Sequence, residues 1–212
     1  CAGEVNFLDE ALDKQGSRVK DAFPCPHCGA ELTKKRMERL FVSKFDSAIG
    51  KTIQVPKRSP SLISYVIGRS RYEKIPDAFD MEILSRIEAM PLPSVIPKSE
   101  IPRMHMTHER ARMDQAGITH IHHFYLIRSA QIVSAFWRKA DMQTDTSIKN
   151  ILRFWLDSHL VNLSIQNRYR PEVSFPYNPL TGVYYIPSLI SEASPFTAYE
   201  NKLKRILAAF KE

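Results

Sequence analysis

Long hydrophobic runs are missing from this sequence of 212 residues. No stretch of eighteen apolar residues occurs, so the sequence predicts no membrane-spanning helix and no membrane partner. No secretory signal pattern is visible, and we therefore expect a cytoplasmic protein. The sequence starts with Cys1 rather than Met, which predicts that the chain is an excised piece of a longer protein.

Cysteine is also scarce: the chain has three, so the cysteines cannot all pair in disulfides. Two of them, Cys25 and Cys28, form a CxxC motif. In a chain without an export signal, this motif favours metal binding or redox chemistry over a disulfide framework. No strand-then-helix pattern surrounds the motif, which argues against a thioredoxin-like role.

Acidic residues are fewer than basic ones. The chain has 23 Asp and Glu against 30 Lys and Arg, a formal net charge of +7 and a pI near 9.3. A basic surface favours polyanionic partners, because positive side chains displace the counterions held around phosphates. Many enzymes are equally basic, so charge alone does not identify the partner. The length predicts one substantial core, or a core with a small appendage.

The first 40 residues have the pattern of a small metal-binding module. CPHCG at 25–29 has the form of a zinc knuckle, in which two thiolates hold one metal and the glycine lets the backbone turn. Cys1 offers a third ligand across a hairpin that would turn near Gly16. Tetrahedral zinc needs a fourth ligand, which the sequence does not supply. We predict a truncated zinc ribbon with Cys1, Cys25 and Cys28 as its metal ligands. The alternative is a metal-free loop.

Helical periodicity dominates the second half of the sequence. Leu126, Ala130, Val133 and Trp137 recur at helical spacing, which predicts a buried central helix within 117–140. A second long helix is predicted over 147–167, packed antiparallel on the first because the link between them is short. GVYYIPSL at 182–189 has the composition of a strand.

A last helix is predicted from Ser194-Pro195 to about residue 210, with five residues facing inward: Phe196, Tyr199, Leu203, Ile206 and Phe210. The expected fold class is therefore α+β and mainly helical. It consists of a zinc-ribbon-like module at 1–40, a region of short strands, one helix and a proline-rich connector at 41–105, and a helical core at 106–212. That core contains the antiparallel helix pair, the C-terminal helix and a short strand or strands.

Three histidines, His120, His122 and His123, precede the central helix. One interpretation is structural: a polar edge that satisfies the N-terminal groups of a helix and packs its rings. The other is a metal or phosphate site, because neutral imidazole is a common metal ligand. No carboxylate lies within ten residues downstream, Asp114 is the nearest upstream, and the spacing matches no HExxH pattern. These observations favour the structural interpretation.

Basic residues cluster at three places that could contact a polyanion. One cluster follows the CxxC motif, one lies at the start of the central helix, and one leaves the second long helix beside a tyrosine that can stack on a base. If the two helices are antiparallel, the last two clusters lie side by side. The alternative is that the arginines cap helix carbonyls and the lysines form a solvated face. The candidate residues are Lys34, Lys35, Arg36, Arg128, Arg168, Tyr169 and Arg170.

Three stretches occur together in an order typical of a known family. They are CPHCGAELTK at 25–34, GITHIHHFYLIR at 117–128, and NRYRP followed by LTGVYYIPSLISE at 180–192. Together they resemble prokaryotic site-specific DNA methyltransferases, amino-methylating and mostly adenine-specific, that carry a zinc-ribbon insertion. The resemblance covers most of the chain. Two departures are that Ser129 stands where the family often has Asn, and that Cys1 alone represents the first knuckle.

The resemblance implies an internal fragment of such a methyltransferase, as found in restriction-modification systems, with DNA and a flanking catalytic domain as partners. Methyl transfer in this family uses S-adenosylmethionine, a glycine-rich turn and a DPPY-type loop. The sequence has no GxG and no Pro-Pro, and NPL at 178–180 is not a substitute. We therefore expect neither catalytic nor cofactor-binding residues here. The cofactor would belong to the parent protein, and the fragment alone would be inactive, contributing zinc and DNA contacts.

Two other function classes remain open from the sequence. One is a metal-dependent hydrolase or nuclease that uses His120, His122 and His123. The other is an interaction module whose zinc ribbon binds a protein partner. The lack of a carboxylate–histidine motif argues against the first, and nothing in the sequence excludes the second.

Overall fold

The computed structural model describes residues 1–13, 18–110, 113–171 and 184–210 of the chain. The α-helices in these ranges are α1 (Phe7–Ala11), α2 (Ala78–Glu88), α3 (Ile127–Asp141), α4 (Thr146–Asp157) and α5 (Pro195–Ala209). Shorter helical turns are the π-helical turn His105–Arg110 and the 3-10 turns Asp114–Ala116, Ile121–Phe124 and Val161–Leu163. The strands are β1 (Leu12–Asp13), β2 (Arg18–Val19), β3 (Ala22–Pro24), β4 (Glu31–Thr33), β5 (Phe41–Asp46), β6 (Lys51–Pro56), β7 (Ile63–Ile67) and β8 (Ser70–Lys74).

The strands pair as four separate antiparallel hairpins, β1–β2, β3–β4, β5–β6 and β7–β8. The two longest turn at glycines that adopt positive φ, Gly50 at 67° and Gly68 at 63°, a conformation that glycine reaches without steric cost. Among the described residues, no strand joins two of these hairpins into a larger sheet. Each hairpin must therefore be held by packing on other parts of the chain, because an isolated two-stranded hairpin is marginally stable in water.

The fold is α+β, but the prediction of a mainly helical chain was wrong, because helices make up 38% of it. Two stretches of the expected helical core account for much of the difference: the second long helix ends at Asp157, and 105–124 forms short π-helical and 3-10 turns. The described part of the predicted strand GVYYIPSL, 184–189, is irregular, and an isolated bridge from Arg168 to Ile190 follows it.

The predicted zinc ribbon was also wrong as a fold. A ribbon presents its four ligands from two knuckles, whereas the described residues contain one knuckle, between β3 and β4. Cys1 approaches it from residues 1–6, which form no strand. The predicted turn at Gly16 lies outside the described residues.

The second long helix ends about ten residues before its predicted end. Asp145 caps its start by accepting from the N–H groups of Ser147 and Ile148. After Asp157 the Ser158 hydroxyl donates to the Trp155 carbonyl, and a 3-10 turn follows at Val161–Leu163. Serine hydroxyls that bond to nearby carbonyls compete with helix continuation.

Two hydrophobic clusters form the core. The first joins the 3-10 turns to the segment at 184–190, and the second joins α3, α4 and α5. Tyr199 is the centre of the second: its ring is buried, its hydroxyl donates to the Leu156 carbonyl at 3.1 Å, and its own carbonyl accepts from Trp155. Buried members of the first cluster are Met113, Ala116, Ile118, Phe124, Ile165 and Ile186, and of the second Val133, Ala140, Leu156, Leu163 and Tyr199.

The last helix contributes less to the core than its pattern predicts. Of the five residues expected to face inward, Tyr199 is buried, Ile206 is half-buried, and Phe196, Leu203 and Phe210 are exposed. No helix in the described ranges is both long and apolar enough to cross a membrane.

The hairpin β5–β6 is docked on the segment 114–124 at two points. Gly117, at φ 69°, lies so close to β6 that a Cβ atom there would stand 2.7 Å from the Gln54 carbonyl oxygen. At the turn end of the hairpin, Asp46 bonds to His122 and His123. The hairpin is thereby held against the entry to α3, which positions Asp46 beside His122 and His123.

Candidate functional site

The three cysteine sulfurs converge at one end of the β3–β4 hairpin, as the sequence predicts. Their Sγ atoms all lie within 4.8 Å of one another, and those of Cys1 and Cys25 are 3.7 Å apart. Zinc–thiolate bonds of about 2.3 Å in a tetrahedron require sulfurs ~3.8 Å apart. The sulfur spacing therefore fits a single tetrahedral metal ion.

The backbone of the knuckle is arranged to stabilise a thiolate. The N–H groups of His27 and Cys28 bond to the Cys25 sulfur and lower the pKa of this thiol, while burial opposes the shift. Gly29, at φ 73°, closes the turn by donating its N–H to the Cys25 carbonyl at 2.9 Å. Because the thiolate is the form that binds metals, the turn favours the metal-binding state before any ion arrives.

A second contact holds Cys1 over the knuckle. The His27 Nε2 atom bonds to the Glu4 carbonyl at 2.9 Å, so the His27 ring faces the N-terminal segment and is not grouped with the three sulfurs. Gly3 lies directly against that ring, where a Cβ atom would stand 2.2 Å from His27 Cδ2. Within the described residues, no further His, Cys, Asp or Glu joins the three cysteines to complete a set of four.

A second group with metal-ligand chemistry joins β5 to the histidines. The Asp46 Oδ2 atom lies 2.7 Å from His122 Nε2 and 2.9 Å from His123 Nε2, and all three side chains are largely buried. The other carboxylate oxygen, Oδ1, accepts from the N–H of Ala48 at 2.9 Å. Both this group and the three cysteines could hold a metal by spacing alone.

The bonds of His123 argue against a metal in this second group. Its Nδ1 accepts the backbone N–H groups of Thr119 and His120, at 3.1 and 3.3 Å. Nδ1 therefore carries no proton, and in the neutral ring Nε2 must carry it and donate to Asp46. A metal-bound histidine instead donates through its second nitrogen and leaves the first free for the metal. His123 has the opposite arrangement, which is that of a structural hydrogen-bonded cluster.

The ionisation of this cluster follows the same bonds. Burial of Asp46 opposes ionisation, but the hydrogen bonds from His123, His122 and the Ala48 N–H lower its pKa to about 2. Burial lowers the pKa of His123, although its bond to Asp46 acts in the opposite direction. A carboxylate paired with a neutral His123 is the resulting state. The buried Nδ1 of His122 has no partner among the described residues.

A large basic groove runs past the cysteines. It encloses about 3380 Å³, and among the described residues eleven Lys and Arg line it against five Glu, so this surface is strongly basic. The described aromatic side chains that line it are Phe7, Phe41, Tyr65, Tyr169 and Tyr185. Pockets for small molecules enclose roughly 300–1,000 Å³, so the groove is larger than such a pocket.

Five of the seven residues predicted to contact a polyanion line this groove, and Lys35 and Arg168 do not. Arg128 is engaged already, since its guanidinium bonds through two nitrogens to the Glu192 carboxylate. Tyr169 is half-buried near β8, where burial and then Glu73 raise the pKa of its hydroxyl. The five that line the groove are Lys34, Arg36, Arg128, Tyr169 and Arg170.

Arg168 has a structural position. Its backbone pairs with Ile190, and its Nε atom is buried with no partner among the described residues. Arg170 is exposed in the groove. Of the two arginines of this loop, Arg170 therefore lines the groove and Arg168 does not.

Sequence reasoning missed three groups of residues. Asp46 lies 76 residues before His122, and no local pattern connects them. Arg39 precedes the hairpin β5–β6 in the sequence, Arg58 follows it, and both line the groove. The basic residues of α5 line it as well: Lys202, Lys204 and Arg205. Runs of basic residues marked these stretches in the sequence, but no pattern indicated that they share a surface. Comparison of the chain with known protein families, curated proteins and solved structures finds no match to any of them.

Proposed function

We propose that this chain is the DNA-holding region of a prokaryotic site-specific DNA methyltransferase, with DNA bound along the basic groove. The observation that carries the proposal is the groove itself, which is lined in the described part of the chain by eleven basic side chains against five acidic ones. The order of the sequence motifs, which resembles the methyltransferase family, supports the same proposal independently. A DNA-holding role also favours the cytoplasm, where prokaryotic DNA lies.

The shape and charge of the groove support a nucleic acid as its occupant. Single-stranded and locally opened DNA is held by basic side chains along the backbone and by aromatic rings on which bases stack. Tyr65 is exposed at the groove, and Tyr169 lies half-buried beside it with Arg170 as its neighbour. An amino-methylating enzyme must expose its target base. An aromatic-lined groove would accommodate DNA in that state.

We also propose zinc as the ion of the three thiolates. Thiolate ligands select zinc or other soft ions over calcium and magnesium, and the 3.7 Å separation of the Cys1 and Cys25 sulfurs fits tetrahedral zinc. The three thiolates would bind the ion, leaving one position for water or a ligand from elsewhere in the parent protein. Its role would be to fix residues 1–6 against the knuckle, at the edge of the groove.

The methyl donor would bind outside this chain. In the parent protein, a flanking catalytic domain would bind S-adenosylmethionine and carry out amino-group methylation, with adenine N6 as the expected target. The residues present here would hold DNA and orient it towards that domain. This division of labour rests on the family resemblance and on the lack of GxG and Pro-Pro sequences in the chain.

The hydrolase alternative finds no support in the geometry. It needs His122 and His123 to bind a metal or activate water, but both are bonded to Asp46 and largely buried. The bonds that His123 accepts at Nδ1 fix the tautomer that cannot bind a metal through Nε2.

DNA affinity measured against salt concentration tests the proposal. Removing one phosphate contact should lower the slope of log affinity against log salt by about one unit, for all sequences alike. We expect this change for Arg36→Gln and for Arg170→Gln, both in the groove. Lys98→Gln is the matched control, because Lys98 is exposed and outside the groove.

The result against the proposal is equally specific. Absence of salt-dependent DNA binding by the wild-type chain would remove the DNA-holding role. Specific binding of an acidic protein in its place would assign the groove to a protein partner.

A further inference from the structure

Two arginines face each other where the hairpin β5–β6 opens into the basic groove. The ladder pairs Phe41 with Pro56, and the Lys57 N–H continues it by donating to the Leu40 carbonyl at 2.7 Å. The next opposed position in that register is occupied by Arg39 and Arg58. Both side chains line the groove.

No carboxylate in the described part of the chain pairs with either guanidinium. Arg39 donates to two neutral acceptors, the Gln115 carbonyl at 3.3 Å and the Ser188 hydroxyl at 3.4 Å. Glu4, which lines the same groove, is bonded to the neighbouring Lys57 at 2.7 Å. Burial lowers the pKa of Arg58, and the positive charge of Arg39 lowers it further.

This arrangement opposes the stability of the fold. Like charges directly opposite each other on paired strands are destabilising. The bonds from Arg39 to Gln115 and Ser188 restrain the Arg39 side chain rather than leaving it free to move away from Arg58. Residues that lower stability in this way are typical of functional sites, where a ligand supplies what the protein lacks.

We propose that Arg39 and Arg58 form a clamp for one phosphodiester group of DNA. The inference rests on the proposed function of the groove and identifies two residues that contact the DNA backbone. A phosphate offers two anionic oxygens, and two guanidinium groups can each donate to one of them. Its negative charge between the arginines converts their repulsion into attraction.

The position of the clamp in the fold explains how it is aligned. The hairpin is docked by Gly117 against β6 and by Asp46 against the histidines. Gly117 packs near the open end of the hairpin and Asp46 bonds at its turn end, so both ends are fixed and the two arginines are held at the groove. The clamp therefore depends on the Asp46 cluster without containing any part of it.

Two measurements on the 212-residue chain test the clamp: DNA affinity against salt, and stability to urea without DNA. For Arg58→Gln, we expect the salt slope to fall by about one unit and the DNA-free protein to become more stable. Arg39→Gln with Arg58→Gln should lower the slope by about two units. Arg58→Lys keeps the charge and should retain most of the slope, and Lys98→Gln should change neither quantity.

The outcomes separate this inference from the proposed function. If the wild-type chain binds DNA and Arg58→Gln leaves the salt slope unchanged, the clamp is overturned. The proposal that DNA binds along the groove is then retained. A loss of stability in Arg58→Gln, with an unchanged slope, assigns Arg58 to structure and overturns the clamp as well. If the wild-type chain binds no DNA, both ideas fail together.

Discussion

Two groups of three side chains in this molecule satisfy the same spacing criterion for a metal site, yet their chemistry differs. Cys1, Cys25 and Cys28 face one another without a strong hydrogen-bond acceptor between them. In the other group, Asp46 already accepts a hydrogen bond from each histidine. The first group has three thiols that could bind one cation, whereas in the second group the histidines are already hydrogen-bonded to the carboxylate.

The difference shows that metal binding depends more on the hydrogen-bond partners of the potential ligands than on the distances between those ligands. At the knuckle, backbone N–H groups bond to the Cys25 sulfur and favour its thiolate. At the histidines, backbone N–H groups bond to His123 Nδ1 and fix the tautomer that donates to Asp46. Backbone N–H groups thus favour the thiolate that binds a cation in the first group. In the second group they favour the His123 tautomer that cannot bind a cation through Nε2.

The largest expected effect concerns zinc. Cys25→Ser should reduce bound zinc from about one ion per chain to near zero, because a hydroxyl is a poor ligand in place of a thiolate. Elemental analysis and cobalt(II) titration, followed by thiolate-to-metal charge-transfer absorption, measure this. His122→Ala is the control and should keep its zinc. A zinc content that depends on His122 would reverse the comparison of the two groups.

The next effect concerns stability. Asp46→Ala should lower the free energy of unfolding by about 2–3 kcal/mol, since it removes two hydrogen bonds to a charged group and leaves buried histidines unpaired. Urea denaturation measures the loss. Asp21→Ala, at an exposed position, should change stability by less than about 0.5 kcal/mol. Equal stability of the two variants would show that Asp46 does not hold the hairpin.

Acid should weaken the Asp46 cluster in two steps. The pKa of His123 is lowered from 6.5 by burial, so the unfolded chain takes up a proton more readily and stability falls as the pH drops below 6.5. The pKa of Asp46 is about 2 against 3.8, so its contribution is present above 3.8 and is lost as the pH falls towards 2. Unfolding free energies at several pH values measure both steps, and Asp46→Ala should abolish the lower one. A profile that is flat from neutral to acid would contradict this account.

The smallest effect concerns the N-terminal segment. Gly3→Ala should weaken zinc binding by about tenfold, the lower end of what disturbing the surroundings of metal ligands costs. The added methyl group would displace the His27 ring and, with it, the bond to Glu4 that holds the segment of Cys1. Gly3→Ala combined with His27→Ala relieves the clash but not the lost bond, so it should recover only part of the affinity. An unchanged affinity in Gly3→Ala would mean that residues 1–6 place Cys1 without His27.

Structural features that depend on residues close together in the chain could be predicted from the sequence. The CxxC motif predicts the knuckle and its turn at Gly29, and the pattern around Ala130 and Val133 predicts α3 with those residues buried. In each case the cause lies within a few residues of the effect.

Contacts between distant segments could not be read in the same way. Nothing near Asp46 indicates that it will bond to His122, because the match is made only when the hairpin docks. The periodicity of Leu160 and Leu163 predicts that the second helix continues, but competing serine bonds and packing against α5 end it. The exposure of Phe196 and Phe210 likewise depends on what covers a surface, which periodicity does not encode.

The contact between Asp46 and the histidines also has a consequence for the order of folding. The hairpin β5–β6 closes a short loop and can form within about 1–10 microseconds. Docking it joins residues 76 positions apart, and contacts of such separation slow folding because a long loop must close first. The groove wall that carries Arg39 and Arg58 is therefore completed late, after the core around α3. We expect DNA-binding competence to appear more slowly during refolding than helical signal.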